Sequence, residues 1–261
     1  MTEGKPAHPA GMNQTDEPLS IGILIDSSGS MQEPDIQEIA SSKLIIEAVR
    51  HFLDLSNPDN EYFVMTFDKD IQMLTDWRKG KLPEVEIAPP ADKHVTTLYD
   101  ACSSALNKFN EAHYPKRAIV LFSDGLDGGS KTQFPDLRRE LERTDVLLYV
   151  VAPRRHYMVS SDIKTLLRDA VYRDIQKILE QMVEITGGLA YYPESKGELG
   201  NAAERIAVEM RHQYRLTFPL VTAGGAAKKP HHIKLEVTTP SNVPNKLRKL
   251  RVRTRRDFYA P

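Results

Sequence analysis

Cysteine is almost absent from this 261-residue chain: Cys102 stands alone, so no intramolecular disulfide can form. No stretch approaches the ~20 consecutive apolar residues that a membrane-spanning helix requires. An excess of one charge is missing too, since 35 Lys/Arg against 36 Asp/Glu leave a net charge of −1. Nothing in the whole-chain field therefore draws nucleic acid or a membrane surface. Neither G-x-G-x-x-G nor a P-loop occurs, which removes the glycine-rich cradles that hold nucleotide phosphates. The strained G-x-S-x-G elbow of serine hydrolases is also absent. Residues 1–17 are polar and lack the apolar h-region of a signal peptide, so at face value no export signal of the chain's own is expected and its compartment stays open.

What is present is ordinary in amount and informative in order. A chain with 40% hydrophobic and 27% charged residues suits one large globular domain, or one domain with an appendage. Residues 1–17 read as a disordered lead-in. Leu19 to Ile25 is a nearly continuous apolar run, as expected of a strand covered on both faces. Apolar residues then recur at helical spacing and predict one helix from Pro34 to Leu55. Strands follow at Glu61–Phe67 and Asp70–Trp77, which should pair as a hairpin. Further helices are expected at 98–109, 134–143, 162–185 and 199–211, with strands at 117–123, 146–152 and 189–192. That alternation predicts an α/β fold with a doubly wound, mostly parallel sheet. Residues 18–212 would form this domain. Residues 213–261 change character: Tyr214–Leu220, Ile233–Thr238 and Leu247–Arg253 alternate without intervening helices and predict an antiparallel β extension, packed on or continuing the domain.

The chemistry concentrates where strands end. After the first apolar run the chain reads Asp26-Ser27-Ser28-Gly29-Ser30, placing one carboxylate and two hydroxyls in a single turn. Hard oxygen donors at that density suit a small divalent cation. Open α/β sheets bind ligands beyond the carboxyl ends of their strands, where strand order reverses. Two other oxygen-bearing residues fall at such positions: Thr96, ahead of a helix, and Asp124, after the strand 117–123. Asp26, Ser28, Ser30, Thr96 and Asp124 together suit a six-coordinate hard cation that keeps waters or takes one ligand from a partner. Mg²⁺ is the expected ion, with Mn²⁺ or Ca²⁺ as alternatives. Thr97 competes with Thr96 for the threonine position. Without a cation, Ser28 and Ser30 would merely cap a helix and Asp124 would start a turn.

These residues carry a resemblance. The D-x-S-x-S element at Asp26, Ser28 and Ser30, the threonine at Thr96 and the strand-end aspartate at Asp124 resemble a von Willebrand factor type A domain with a metal-ion-dependent adhesion site. The start PLSIGILIDSSGSM, the segments TTLYDA, ITGGLAYYP and QYRLTFPL, and the ending RTRRDFYAP resemble the bacterial VWFA-related subfamily, over residues 18–261. That subfamily usually has Gly-Gly before the threonine, where this chain has His94-Val95. The resemblance implies a Rossmann-like fold in which Asp26 binds metal mainly through water, and Ser28, Ser30 and Thr96 more directly. Asp124 would bind directly or through water, and an Asp or Glu from a protein partner would complete the shell. The implied function is metal-dependent protein–protein interaction, as adhesion or scaffold module, not enzymatic activity.

Two other functions compete. A metal-dependent hydrolase could use the same loop if His94, Ser30 and Asp124 converged. A metal-free scaffold could bind acidic partners through the tail, where residues 228–256 hold ten Lys/Arg and one acid, Glu236. Arg251, Arg253 and Arg255 at period two read more simply as a solvated strand edge. His231 and His232 are adjacent on a predicted strand and point to opposite faces, so they cannot easily share a metal. Asp127 reads as a solvated turn residue, Asp100 as a structural acid within its helix, and Cys102 as a small buried hydrophobe. Trp77, Tyr191, Tyr192 and Tyr214 read as core or strand-face aromatics.

Overall fold

In chain order the elements are β1 (Gly11–Gln14), β2 (Ser20–Asp26), α1 (Pro34–Ala40), α2 (Ser42–Leu55), β3 (Glu61–Phe67), β4 (Ile71–Lys79), α3 (Leu98–Lys108), β5 (Arg117–Phe122), α4 (Phe134–Arg143), β6 (Leu147–Val151), α5 (Ile163–Thr186), β7 (Leu189–Tyr191), α6 (Lys196–Arg211), β8 (Tyr214–Thr217), β9 (His231–His232) and β10 (Asp257–Phe258). This computed structural model describes residues 11–14, 16–90, 92, 95–154, 163–217, 231–232, 235, 253–255 and 257–258. Most of the predicted C-terminal strands, as well as His94 and Arg251, lie outside the described residues.

Six strands form the central sheet in the order β4-β3-β2-β5-β6-β7. All neighbours run parallel except β4, which returns antiparallel along β3. Chain order therefore reverses at β2, with β3 on one side and β5 on the other. This is the doubly wound α/β architecture expected from the alternation of elements.

Every residue of β2 and β3 is buried, and strand alternation sends their side chains into two cores. Ile21, Ile23 and Ile25 meet α1, α2 and α6 through Ile36, Val49, Phe52, Ile206 and Ala207. Leu24, Phe63 and Met65 face α3, α4 and α5 through Leu98, Ala105, Leu141, Leu179 and Met182. Gly22 leaves room on that second face: a Cβ there would lie 2.5 Å from the Phe63 ring. Phe63 in turn meets Trp77 and Phe109 edge-on, at centroid distances of 4.8 and 5.6 Å. Trp77 is thus a core aromatic, and Cys102 is a buried thiol that desolvation pushes up to about 12.

Three local expectations differ from the structure. The helix predicted over 34–55 is two helices, because Ser41 is extended (φ −58°, ψ 157°) and its Oγ accepts the Leu44 amide at 3.4 Å. A serine hydroxyl offers the backbone an alternative to the helical bond, so it starts a new helix. Within the lead-in expected to be disordered, Gly11–Gln14 pairs antiparallel with β8. The partner lies about two hundred residues away, beyond the reach of local pattern. Finally, Arg253 pairs with Glu209, and Arg255 donates to the Glu142 carbonyl at 3.0 Å. Arg253 stays exposed while paired with Glu209, whereas Arg255 is part-buried against α4 rather than on a solvated edge.

Gly188, just ahead of β7, lies tight against the backbone of β6. A Cβ there would sit 1.9 Å from the Leu148 carbonyl oxygen, and backbone cannot move aside. Gly188→Ala is expected to cost about 3 kcal/mol, read as a lowered urea midpoint at unchanged m-value.

Candidate metal centre

The carboxyl ends of β2 and β5 meet at the point of strand reversal, and Asp26 is the last residue of β2. It is 2% exposed, and both of its oxygens are occupied by donors. Oδ1 accepts the Ser28 amide at 2.9 Å, and Oδ2 accepts the Ser123 hydroxyl at 2.6 Å. Burial pushes the Asp26 carboxyl up to about 7, with the neighbouring Asp124 charge adding to the rise against the lowering effect of those hydrogen bonds. A carboxyl whose ionisation is disfavoured by burial and by a neighbouring carboxylate is suited to a cation, which would offset both effects.

Ser28 is buried directly after β2, and Ser30 lies in the following 3-10 turn, Gly29–Gln32. Their hydroxyls lie 3.1 Å apart. Two oxygens at that separation can face one small ion, and the Ser28 hydroxyl makes no capping bond to the turn. Asp124 follows β5, is buried, and accepts the Leu126 amide at 3.1 Å.

Thr96 is buried just ahead of α3, and its carbonyl accepts the Gly128 and Gly129 amides at 3.1 and 2.9 Å. The threonine loop and the loop that follows Asp124 are therefore one hydrogen-bonded unit. Thr97, its competitor, points elsewhere: its hydroxyl and its amide both donate to the Asp68 carbonyl, at 2.9 and 2.8 Å. Thr97 thus ties the threonine loop to the end of β3. Ser27 makes a similar tie, donating its Oγ to the Phe67 carbonyl at 3.2 Å.

Two supporting groups escaped the sequence reading. Ser123 bridges the β2 and β5 ends, although nothing local distinguishes it from any strand-terminal serine. Asp127 is half-buried instead of solvated. Its Oδ1 accepts the Tyr99 amide at 3.2 Å and the Ser130 hydroxyl at 2.5 Å. It therefore caps α3 from another segment, and Asp100 returns the bond by accepting the Lys131 and Thr132 amides at 2.9 and 2.8 Å. A cap supplied by a segment about thirty residues downstream leaves no signature next to the helix. Among the described residues, no group of three or more His, Cys, Asp or Glu side chains is arranged to hold a metal. The donor set at this site is mixed carboxylate and hydroxyl instead.

Residues 21–126 match the family model of the von Willebrand factor type A domain, a range that runs from β2 to just past Asp124. No curated protein matches the chain. Among solved structures, the fold is similar to a von Willebrand factor type A protein from Catenulispora acidiphila, with a TM-score of 0.56, 13% identity, and coverage of 75% of this chain and 43% of that one. It is also similar to proximal thread matrix protein 1 from the mussel byssus, with a TM-score of 0.57, 12% identity, and coverage of 79% and 49%. That byssus protein has also been solved with a zinc-occupied MIDAS motif, a structure matching at a TM-score of 0.55, 12% identity, and the same coverage. The chain thus spans less than half the length of these proteins. The family match over residues 21–126 and the similar solved folds agree on a von Willebrand factor type A fold.

Proposed function

We propose that this domain is a divalent-metal-dependent protein-interaction module, with Asp26, Ser28, Ser30, Thr96 and Asp124 as its metal-binding residues. The observation that carries the reading is the burial of Asp26 beside Asp124 at the point of strand reversal, next to the paired Ser28 and Ser30 hydroxyls. Five short side chains each giving one oxygen would leave unsaturated a hard cation that takes six or more ligands. A bound ion would therefore supply an open coordination position for a carboxylate oxygen of a partner. Mg²⁺ is the favoured occupant because all the donors are hard oxygens, and the zinc-occupied motif of the byssus protein agrees with a divalent ion at such a site.

The residues divide the work. Ser28 and Ser30 present neutral oxygens, so the two carboxylates at most balance a divalent ion and do not leave the site net negative toward a partner acid. Thr97 holds the threonine loop to the β3 end and keeps the Thr96 donor in place. Binding through an acidic partner residue is an interaction without turnover, so the module is read as non-enzymatic.

Isothermal titration of the full chain with Mg²⁺ and Mn²⁺ tests this. Saturable binding at one site, lost in Asp26→Ala, is the expected result. Absence of binding in the unsubstituted chain, or undiminished binding in Asp26→Ala, would end the proposal.

A further inference from the structure

We infer that Ser123 is a positioning residue of the metal centre, whose hydroxyl sets the orientation of the Asp26 carboxylate and couples it to the backbone that carries Asp124. The inference rests on the metal reading above and extends it, because Ser123 is none of the five proposed ligands. Ser123 lies between the end of β5 and Asp124 and is wholly buried, at 0% exposure. Its Oγ accepts the Gly125 amide at 3.0 Å and donates to Asp26 Oδ2 at 2.6 Å. A hydroxyl has one proton, and the Gly125 contact already uses Oγ as an acceptor. Ionised Asp26, the form that would bind a cation, has no proton to give, so in that state the Ser123 hydroxyl is the donor.

The other Asp26 oxygen is held by the Ser28 amide at 2.9 Å. The carboxylate is thus clamped by two donors from two chain segments, one on each oxygen. Rotation of the carboxylate would break both bonds together, and each oxygen retains a second lone pair for a water or an ion. Ser123 and Gly125 flank Asp124, so the bridge also holds the peptides on either side of the second carboxylate. Groups that orient metal ligands in this way commonly cost 10–100-fold in metal affinity when removed.

Ser27 provides the comparison that separates positioning from simple support of the fold. It is buried in the same turn and donates to the Phe67 carbonyl, yet its hydroxyl does not touch a carboxylate. The experiment uses Mn²⁺ as the probe, with affinity by calorimetry, the electron paramagnetic resonance spectrum of bound Mn²⁺, and thermal melts in EDTA. The full chain is compared with Ser123→Ala, Ser123→Thr and Ser27→Ala. Ser123→Ala is expected to weaken Mn²⁺ binding by about 10–100-fold and to broaden the spectrum, while Ser123→Thr restores affinity to within about threefold. Ser27→Ala should lower the melting temperature without changing affinity. Unchanged affinity in Ser123→Ala, or an equal loss in Ser27→Ala, overturns the inference while leaving the metal site standing. If the unsubstituted chain binds no Mn²⁺, the metal reading itself fails and takes the inference with it. Should the threonine variant not fold in EDTA, the contrast between the two alanine variants decides.

Discussion

Asp26→Asn is expected to make the metal-free protein more stable at pH 8 while abolishing its response to divalent ions. In the folded chain burial and Asp124 push the Asp26 carboxyl up to about 7, from an ordinary value of 3.8. Between those values the folded chain keeps a proton that the unfolded chain has released, so rising pH favours unfolding. Below about pH 4 this group costs nothing, and above about pH 7 the cost is complete. A gap of about three units corresponds to about 4 kcal/mol. Asparagine carries no charge to desolvate; its carbonyl can accept the Ser28 amide and its NH₂ can donate to Ser123.

Urea denaturation in EDTA across pH 4–9 provides the measurement. The stability gained by Asp26→Asn should be near zero at pH 4, grow through pH 5–7 and level off above. Taking the difference between the two proteins removes other titrations, notably that of Glu61. Burial acts to raise the Glu61 carboxyl, but hydrogen bonds from Ser20 and His113 more than offset it and hold the group below its ordinary value. Glu61 thus adds stability that is lost as pH falls, opposite in sense to Asp26. Added Mg²⁺ should stabilise the unsubstituted chain most above pH 7, where Asp26 is ionised, and leave Asp26→Asn unmoved. A pH-independent difference would show that burial does not perturb this carboxyl.

Gly129→Ala is expected to displace the threonine loop, and Val95→Gly is expected to restore it. A Cβ on Gly129 would meet Val95 Cγ1 at 2.3 Å, with Thr97 Cγ2 at 3.3 Å and the Thr96 carbonyl at 3.4 Å. Valine is stiff about χ1, so its methyl cannot simply turn away. Gly129→Ala alone should cost about 1–3 kcal/mol by overpacking and weaken metal binding by moving Thr96. In the double variant the overlap is gone, and most of both losses should return, giving a coupling energy on the order of 1–2 kcal/mol in a double-mutant cycle. Additive losses would mean that the two residues act independently. The departure at His94-Val95 from the Gly-Gly of the resembled subfamily is thus accommodated at Val95 by a glycine on the facing loop.

Much of this arrangement was legible before any coordinates. The unbroken apolar run before Asp26 marks a strand buried on both faces, and its exit loop must open at a strand's carboxyl end. The alternation of elements implies the parallel sheet, and the sheet implies a crevice where its order reverses. Asp26, Ser28 and Ser30 are neighbours in the chain, so one turn accounts for their proximity. These are local or periodic properties, and the amino-acid order alone determined them.

The tertiary structure decided everything that depends on contacts between distant segments. Ser123 is an unremarkable serine until β2 and β5 lie side by side and its hydroxyl reaches Asp26. Thr97 competes with Thr96 in sequence, and the Asp68 carbonyl at the end of β3 commits the Thr97 hydroxyl. Asp127 becomes a helix cap because the chain folds back on α3, and Gly129 matters because Val95 leans on it. Even the elevated Asp26 carboxyl is a property of the assembled site, since it requires both burial and the Asp124 charge. Short-range pattern carries backbone preference, whereas hydrogen-bond partnership and desolvation exist only once the sheet has brought its strand ends together.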